Sequence, residues 1–387
     1  MAKQKGKRRQ QWRNPTYVGS VAVAIVFIII FIVSFVSPGG GTTDIPDIDA
    51  LPTPEPAPLV APTPEPGGPV LTFGAPSVQA NGLFQVRVPG GWFPSSNAYD
   101  ASIPRARMSF NNPQRLSVID VLIQFGVNYP SNEALSDEFL TEAFFLGAWS
   151  DYGASSETGR TVGDTVIVDF DLVADNLDFL GRQIAWLDGD WLHMVRIIVP
   201  NNNPPLLETL SETVTPSLVS FQADQRDLPP TLAAYVDVAQ GFLVRHSNWR
   251  QVSGGAGGPA VLENQASQGH LLLRVVDETP LESLDDAEAF ITGTLRPDAE
   301  ILSSQVTERQ FAEGFLLSYA DRDADGNSIA GAVALLNGDD DRLLVAEVRI
   351  TARDLDLLSV SDDARVTQAR QIIDSFMALP PADEQDQ

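Results

Sequence analysis

One succession of segments occurs twice after about residue 77, and this duplication restricts the possible folds more than any other feature of the sequence. The first copy opens with Gly-Leu-Phe-Gln-Val-Arg-Val-Pro-Gly-Gly-Trp at 82–92. The second opens with Gly-Phe-Leu-Val-Arg-His-Ser-Asn-Trp at 241–249. Each run has a glycine, alternating apolar residues, an arginine, a turn and a tryptophan. An alternation of period two predicts a half-buried strand in both copies.

A second strand and then a helix are predicted in each copy. The strands are expected at 116–125 and 270–276, where apolar residues dominate. Ser131 and Ser283 are of the residue type that caps helix N-termini, and an apolar stripe at helical spacing follows each of them. The stripes consist of Leu135, Phe139, Ala143 and Leu146 in the first copy, and of Leu284, Ala287, Ile291 and Leu295 in the second.

Three further strands and a closing helix complete each copy. Acidic turns separate the strands, which is the pattern of an antiparallel meander. In the first copy Pro216 is expected to shorten the closing helix. The predicted strands are 164–174, 179–187 and 191–199, then 313–320, 329–336 and 342–351, and the helix faces are Leu207, Leu210, Val214 and Leu218, then Val366, Ala369, Ile373 and Phe376.

These elements predict an α+β fold class with two tandem antiparallel-sheet domains, each with packed helices. The expected boundaries are 77–224 for the first domain and 234–380 for the second, joined by a linker at 225–233. An acidic, disordered tail is expected at 381–387. Each domain is long enough to bury a core of its own.

The order of these landmarks resembles the PsbP-like domain, named after an extrinsic protein of photosystem II. The matching pieces are 84–92 with 218–221, closed by Phe221, and 242–249 with 372–376, closed by Phe376. The second copy lacks the Pro-Gly pair before its tryptophan. The resemblance implies an α/β/α sandwich in each domain and a role in binding or stabilising another protein. It implies no site residues, because no metal-binding or partner-binding motif of the family is matched.

An uncharged, almost wholly apolar run at 17–36 predicts a single transmembrane helix at 17–37. Basic residues precede the run, so the tail at 1–16 is expected in the cytoplasm and the remainder outside the cell membrane. A cleaved signal peptide is the alternative, but the apolar run is longer than such peptides carry. Because the chain has no cysteine, a bacterial envelope is the expected setting.

A proline-rich stretch at 38–76 follows the predicted anchor and contains Pro-Thr-Pro-Glu-Pro twice, at 52–56 and 62–66. Proline fixes φ and removes a backbone donor, which favours polyproline II over helix or sheet. We therefore expect a disordered stalk between the membrane and the two domains.

The charge balance limits the classes of partner. The chain has 51 acidic and 25 basic residues, a formal net charge of −26. So negative a protein is not expected to bind nucleic acid or to lie flat on anionic lipid. Basic proteins or cations are the partners that this charge favours.

The segment at 321–328 begins like a calcium loop, with Asp321, Asp323, Asp325 and Gly326. A calcium loop needs a bidentate acid at its twelfth position, which is Ala332 here. The flanking segments are predicted strands, not helices. An acidic hairpin turn is therefore the prediction, with weak calcium binding as the alternative.

No other sequence pattern indicates a particular catalytic reaction. The histidines at 193, 246 and 270 lack metal-ligand spacing, and the glycine-rich stretch at 254–259 lacks the context of a phosphate loop. No catalytic, cofactor-binding or metal-binding residue is therefore predicted, and no cofactor. One possibility stays open, that Phe179, Trp186 and Trp191 on neighbouring strands form an exposed aromatic face.

The expected function is that of a membrane-anchored, extracytoplasmic binding or scaffolding protein that presents two PsbP-like modules to a partner protein. We do not expect an enzyme. A module that binds a small molecule or a divalent cation is the first alternative. A hydrolase with a pair of carboxylates is the second, since convergence in space is invisible in a sequence.

Overall fold

The computed structural model describes residues 70–102, 104–127, 151–174, 176–221, 227–255, 257–266, 268–277, 280–323, 325–338, 341–352 and 355–380, with the side chains of 151–161 left aside. Several predicted segments lie outside the described residues. They are the tail at 1–16, the anchor at 17–37, nearly all of the stalk at 38–76, the first-copy helix after Ser131 and the tail at 381–387.

The first half of the described chain, residues 70–221, contains ten strands and one helix within those ranges. Its elements are β1 (Ser77–Val78), β2 (Phe84–Val86), β3 (Phe93–Asp100), β4 (Arg105–Asn112), β5 (Ser117–Gln124), β6 (Asp151–Val162), β7 (Thr165–Ala174), β8 (Leu177–Asp188), β9 (Trp191–Pro200), α1 (Pro204–Val214) and β10 (Val219–Ser220).

The second half, residues 227–380, contains ten strands and two helices within its described ranges. Its elements are β11 (Ala233–Asp237), β12 (Phe242–His246), β13 (Arg250–Ser253), β14 (Ala260–Asn264), β15 (Gly269–Asp277), α2 (Leu284–Phe290) with a π-helical turn (Ile291–Leu295), β16 (Glu300–Arg309), β17 (Ala312–Arg322), β18 (Ser328–Asn337), β19 (Arg342–Thr351), α3 (Ala364–Ser375) and β20 (Met377–Ala378).

The two halves have the same strand order. A seven-stranded antiparallel sheet runs β3-β4-β5-β9-β8-β7-β6 in the first half and β13-β14-β15-β19-β18-β17-β16 in the second. Each half also has a three-stranded antiparallel sheet, β1-β2-β10 and β11-β12-β20. The predicted meanders are confirmed in both copies. In each, three consecutive strands pair antiparallel across the turns that the sequence predicted.

The same serine clamp closes both halves. Ser217 Oγ accepts from Arg87 N at 3.0 Å and donates to Arg87 O at 3.1 Å. Ser375 Oγ does the same with Arg245 N and O, at 2.8 and 3.0 Å. This match pairs Phe221 with Leu379, not with Phe376 as the sequence landmarks indicate.

The closing helices form where the sequence predicts them. Asn203 caps α1 and accepts from Leu206 N, and α1 ends at Val214, two residues before Pro216. Asp363 caps α3 in the same way. The apolar faces of α1 and α3 pack on the large sheets, with Leu206, Leu207, Leu210 and Val214 buried on α1 and Val366, Ala369, Ile372 and Ile373 buried on α3.

The predicted fold class is wrong. The described chain is mostly antiparallel β-sheet, not an α+β sandwich of sheets covered by helices, and α2 has only 7 residues. The sequence reading missed the outer strands β3, β13 and β16. Their side chains are exposed or half-buried on both faces, so they lack the alternation that reveals a strand.

The membrane assignment is also corrected. No helix in the described part of the chain is long and apolar enough to cross a bilayer. The predicted anchor at 17–37 lies outside the described residues. The described structure therefore does not support the prediction of a single-pass protein of the cell membrane.

A glycine faces an aromatic ring across the strands of both large sheets. Gly181 on β8 is the register partner of Phe170 on β7, and Gly331 on β18 is the partner of Tyr319 on β17. A Cβ at either glycine would overlap the opposite ring. All four positions are in the sheet interior, so the ring packs directly on the backbone of the next strand.

We expect Gly181→Ala and Gly331→Ala each to lower the free energy of unfolding by about 1–3 kcal/mol, because the new methyl group must displace a packed ring. Gly293→Ala is the matched control, since nothing lies within 4 Å of a Cβ built there. Urea unfolding followed by tryptophan fluorescence measures all three. Variants at 181 and 331 as stable as the control would contradict this packing.

Candidate functional site

The two halves meet through their three-stranded sheets. In β2, Phe84 and Val86 face the core of the first half, and in β12, Phe242 and Val244 face the core of the second. The opposite faces of these small sheets meet in one apolar cluster, which we call the seam. Its buried members are Phe221, Leu243, Met377 and Leu379, with Val78, Val219, Val236 and Phe311 packed around them.

Hydrogen bonds join the halves beside the seam. Asn81 Nδ2 donates to Leu232 O at 2.8 Å, and Ala234 N donates to Ala80 O at 3.1 Å. Gln310 Nε2 donates to Ser220 O at 3.1 Å. The contact between the halves is thus apolar at its centre and hydrogen-bonded at its margin, as stable interfaces are.

Gln85 lies on β2 between Phe84 and Val86 and is fully buried. Neither its Nε2 nor its Oε1 has a hydrogen-bond partner among the described residues. Its structural counterpart on β12 is Leu243, which belongs to the seam. A buried amide without hydrogen bonds destabilises the folded state by about 1–3 kcal/mol. Gln85 therefore destabilises the first small sheet at the position where Leu243 stabilises the second.

Arg245 from β12 is fully buried at the edge of the seam. Its Nη2 donates to Pro229 O at 2.6 Å. Burial lowers the pKa of Arg245 to about 10, while the nearby Tyr99 of the first half favours the charged form. The guanidinium is therefore still a cation at neutral pH, placed where the two halves touch.

A pocket of about 460 Å³ is lined in part by Leu228 and Pro230, which flank the Pro229 carbonyl that Arg245 contacts. Its aromatic wall comes from Phe125 and Trp191, whose rings meet edge to face with centroids 4.3 Å apart. The chain between the halves contributes Leu228 and Pro230 to the opposite wall. The complete lining is Leu83, Phe125, Gly189, Asp190, Trp191, Leu228 and Pro230, and we call this space the junction pocket.

Asp190 is the only ionisable side chain among those lining residues. It lies in the exposed turn between β8 and β9, where Gly189 has a φ of 60°. Val127 N donates to Asp190 O at 3.0 Å, which fixes the turn against the sheet. The junction pocket therefore has apolar walls and one carboxylate at its rim.

His193 lies close to this pocket on β9. Its ring stacks on Trp186 with centroids 5.2 Å apart and 8° between the planes. Burial lowers the pKa of His193, and the charge of Asp188 opposes this with a smaller effect. Burial also lowers the pKa of His246. Both imidazoles are neutral at neutral pH and belong to the packing of the sheets.

A smaller pocket of about 210 Å³ lies on the other side of the seam. Arg87 enters it from the first half, and Arg342 lies in its wall from the second. Phe311, Leu344 and Leu379 supply apolar lining. The two pockets thus differ in charge, since one has an aspartate at its rim and the other has two arginines.

The sequence-predicted candidates do not meet at either pocket, apart from Trp191. The acidic segment forms the hairpin turn between β17 and β18, as predicted. Asp323 accepts from the N–H groups of Asp325 and Asn327 and from Asn327 Nδ2, which lowers the pKa of its carboxyl group. Its carboxylate is occupied by its own turn, and Ala332 is buried within β18.

The proposed aromatic face is wrong. Phe179 is buried in the cluster on one face of the first large sheet, whereas Trp186 and Trp191 pack in the cluster on the other. Phe179 and Trp186 are seven residues apart on one strand, and an odd separation places side chains on opposite faces. The glycine-rich stretch at 254–259 joins β13 to β14, with Gly257 N donating to Asp237 Oδ2 at 3.0 Å.

Sequence reasoning missed the seam and its two unusual polar residues. One signal was visible: Gln85 and Arg245 each interrupt an otherwise apolar strand. Among the described residues no group of three or more His, Cys, Asp or Glu side chains is placed to hold a metal ion.

The protein-family models contain no match to this chain. No curated protein matches it either. Solved structures similar to it include a PsbP protein from the cyanobacterium Synechocystis, at 16% identity and a TM-score of 0.27, covering 38% of this chain and 92% of that one. A mutant of the protein Mog1 is similar at 12% identity and a TM-score of 0.30, covering 39% and 96%.

The immunity protein TplEi of T6SS from Pseudomonas aeruginosa is similar over a longer stretch, 80% of this chain and 98% of that one, at 12% identity and a TM-score of 0.24. The predicted resemblance is confirmed in part, since PsbP and Mog1 are among the similar structures. The tandem domains and the anchor are not confirmed by them. At these TM-scores the similarities carry no argument about function.

We expect Gln85→Leu to raise the free energy of unfolding by about 1–3 kcal/mol, because it removes a buried amide that makes no hydrogen bond. Gln79→Leu is the control. Gln79 is equally buried but donates to Asn81 Oδ1 and Ala98 O, both at 3.3 Å, so its loss should destabilise. Urea unfolding of the two variants should therefore shift in opposite directions, and shifts of the same sign would contradict this account of the seam.

A second prediction concerns how the stability of the fold changes at acidic pH. Because the pKa of His193 is lower in the folded chain, the unfolded chain takes up a proton first as the pH falls below about 6.5, and stability decreases until the folded pKa is passed. His193→Phe should flatten the fall in urea midpoint between about pH 7 and pH 5.5. An identical pH profile for His193→Phe and the wild type would refute the prediction.

Proposed function

We propose that this protein is a non-catalytic binding protein whose two halves, joined at the seam, present one surface to a partner protein. The observation that carries the proposal is the junction pocket, about 460 Å³ in volume and bounded by both the first half and the chain that connects it to the second. Pockets with aromatic and proline walls accept the apolar anchor residues that dominate protein interfaces.

The rim of the pocket defines the neighbours of that anchor. Asp190 lies at the rim, and the exposed Asp188 lies in the same turn. The whole chain has a net charge of −26. A partner with an aromatic or aliphatic side chain beside a lysine or arginine would fill the apolar space and pair with the rim carboxylate.

The non-catalytic part of the proposal rests on the chemistry of the lining. Six of the seven lining residues have no ionisable side chain, and the seventh is the exposed Asp190. His193, the nearest histidine on β9, is buried against Trp186 and turned into the packing of the sheet. This arrangement supplies a binding surface and no nucleophile paired with a base.

Panning of a displayed library of short random peptides against the full chain tests the proposal. Enriched peptides should carry an apolar anchor next to a basic residue. Leu228→Trp, which fills the pocket, and Asp190→Arg, which reverses the rim charge, should each weaken a selected peptide by at least about tenfold. Asp325→Arg makes the same charge change in the remote β17–β18 turn and should have little effect. Equal binding by wild type and Leu228→Trp would exclude the junction pocket as the anchor site.

A further inference from the structure

A row of charged side chains crosses one face of the second large sheet. Successive register partners are Arg250 on β13, Glu263 on β14, His270 on β15, Arg349 on β19 and Gly331 on β18. Side chains directly opposite on neighbouring strands have Cβ atoms about 4.5–5.5 Å apart, so these lie side by side. We call the set of Arg250, Glu263, His270 and Arg349 the arginine row.

Two glutamates lie within or next to the arginine row. His270 Nδ1 lies 3.6 Å from Glu263 Oε1. The buried Glu347, two residues before Arg349, accepts from Arg296 Nε at 2.8 Å and from Arg296 Nη2 at 3.3 Å. Tyr319 Oη also donates to Glu347, and burial followed by the charge of Glu347 raises the pKa of this tyrosine.

Arginines remain beyond these pairs. Arg349 Nε is 4.0 Å from Glu347 Oε1 and makes no hydrogen bond within the described chain, and its side chain is 22% exposed. Arg274 lies on the same face of β15 as His270, four residues further along. Neither Arg250 nor Arg274 has a charged partner among the described residues. Arg250 and Arg274 are therefore left without an ion pair among the described residues, while Arg349 and Arg296 share the single carboxylate of Glu347. Both unpaired guanidinium groups lie on one face of a protein with a net charge of −26.

An apolar strip lies between these charges. Val261 and Leu272 are register partners on β14 and β15, and both are half-buried. The arginine row runs on one side of the strip, and Arg274 lies on the other. An extended segment laid on this face would find apolar contact at its centre and cations on both sides.

The first half handles the equivalent face differently. Asp120 and Leu122 on β5, the strand that corresponds to β15, are both buried. Burial alone would raise the pKa of Asp120, but the charges of Arg107 and Arg196 outweigh burial and lower it. Arg107 Nη2 donates to both oxygens of Asp120 at 2.9 Å. In the first sheet this part of the face is thus occupied by a buried ion pair, whereas in the second sheet Leu272 and Arg274 remain half-buried there.

We infer that the open face of the second sheet, from Arg250 to Arg349 and Arg274, binds an acidic, extended segment of a partner protein. Guanidinium groups form bidentate bonds with carboxylates, and Val261 and Leu272 would contact the apolar side chains between them. A single-stranded nucleic acid stacks its bases mainly on Phe, Tyr or Trp rings, and neither the row nor the strip contains one of these. This surface lies on the second half alone and goes beyond the proposed role of the junction pocket.

The test uses the full chain and a fluorescein-labelled peptide that alternates glutamate with leucine. A peptide with glutamine in place of every glutamate is its matched partner. Anisotropy should show binding of the acidic peptide only, weakening as salt rises from about 50 to about 200 mM because exposed charges are then screened. Arg250→Glu and Arg274→Glu should each weaken binding by about tenfold or more.

Arg322→Glu is the control, since it makes the same charge change at the exposed end of β17 in the same half. Arg250 is exposed on the edge strand β13, so its variant tests the surface even if Arg274→Glu fails to fold. The inference is overturned if the glutamine peptide binds equally well, if Arg322→Glu weakens binding as much, or if a short oligonucleotide displaces the acidic peptide at lower concentration. Leu228→Trp should still bind the acidic peptide, which separates this surface from the junction pocket.

Discussion

The apolar contact between the two small sheets is the interaction on which the rest of the structure depends. The small sheets contain strands of only two to five residues, so their stability depends on the apolar faces that they bury. Each small sheet buries one face in its own half and the other in the seam through Phe221, Leu243, Met377 and Leu379. Close to the seam, Arg245 of the second half lies near enough to Tyr99 of the first half for their charges to interact.

The duplicated framework and the side chains on it have diverged separately. The serine clamps at Ser217 and Ser375 and the glycine–aromatic pairs are retained in both halves, because they hold strands at distances that tolerate little change. Polar residues on the sheet faces have no such restriction. One sheet buries Asp120 in an ion pair with Arg107, whereas the other leaves Arg250 and Arg274 without an ion pair among the described residues, so a similar scaffold offers two different surfaces.

The meander strands were predictable, whereas most of the strands outside the meanders were not. Even β4 and β14 were missed, although each buries residues in alternation. Both meanders were found because alternating burial leaves a period of two, as in β7, where every second residue is buried from Val166 to Leu172. The outer strand β13 is exposed at all four positions, so it carries no such period and was missed. The candidate pocket was not predictable, since Phe125, Trp191 and Leu228 lie in three separate segments.

The sequence by itself determined the duplication, the order of the meander strands, the caps and ends of the closing helices, and the acidic hairpin turn, because each depends on neighbours within a few residues. Only the tertiary structure decided that the chain is mostly antiparallel sheet and that its halves share a seam. It also decided which charges are left over. Arg349 and Arg107 look alike in the sequence, but Arg107 lies within reach of Asp120, whereas Glu347 is already held by Arg296. Pairing between charges depends on strand register across the sheet, which no local pattern records.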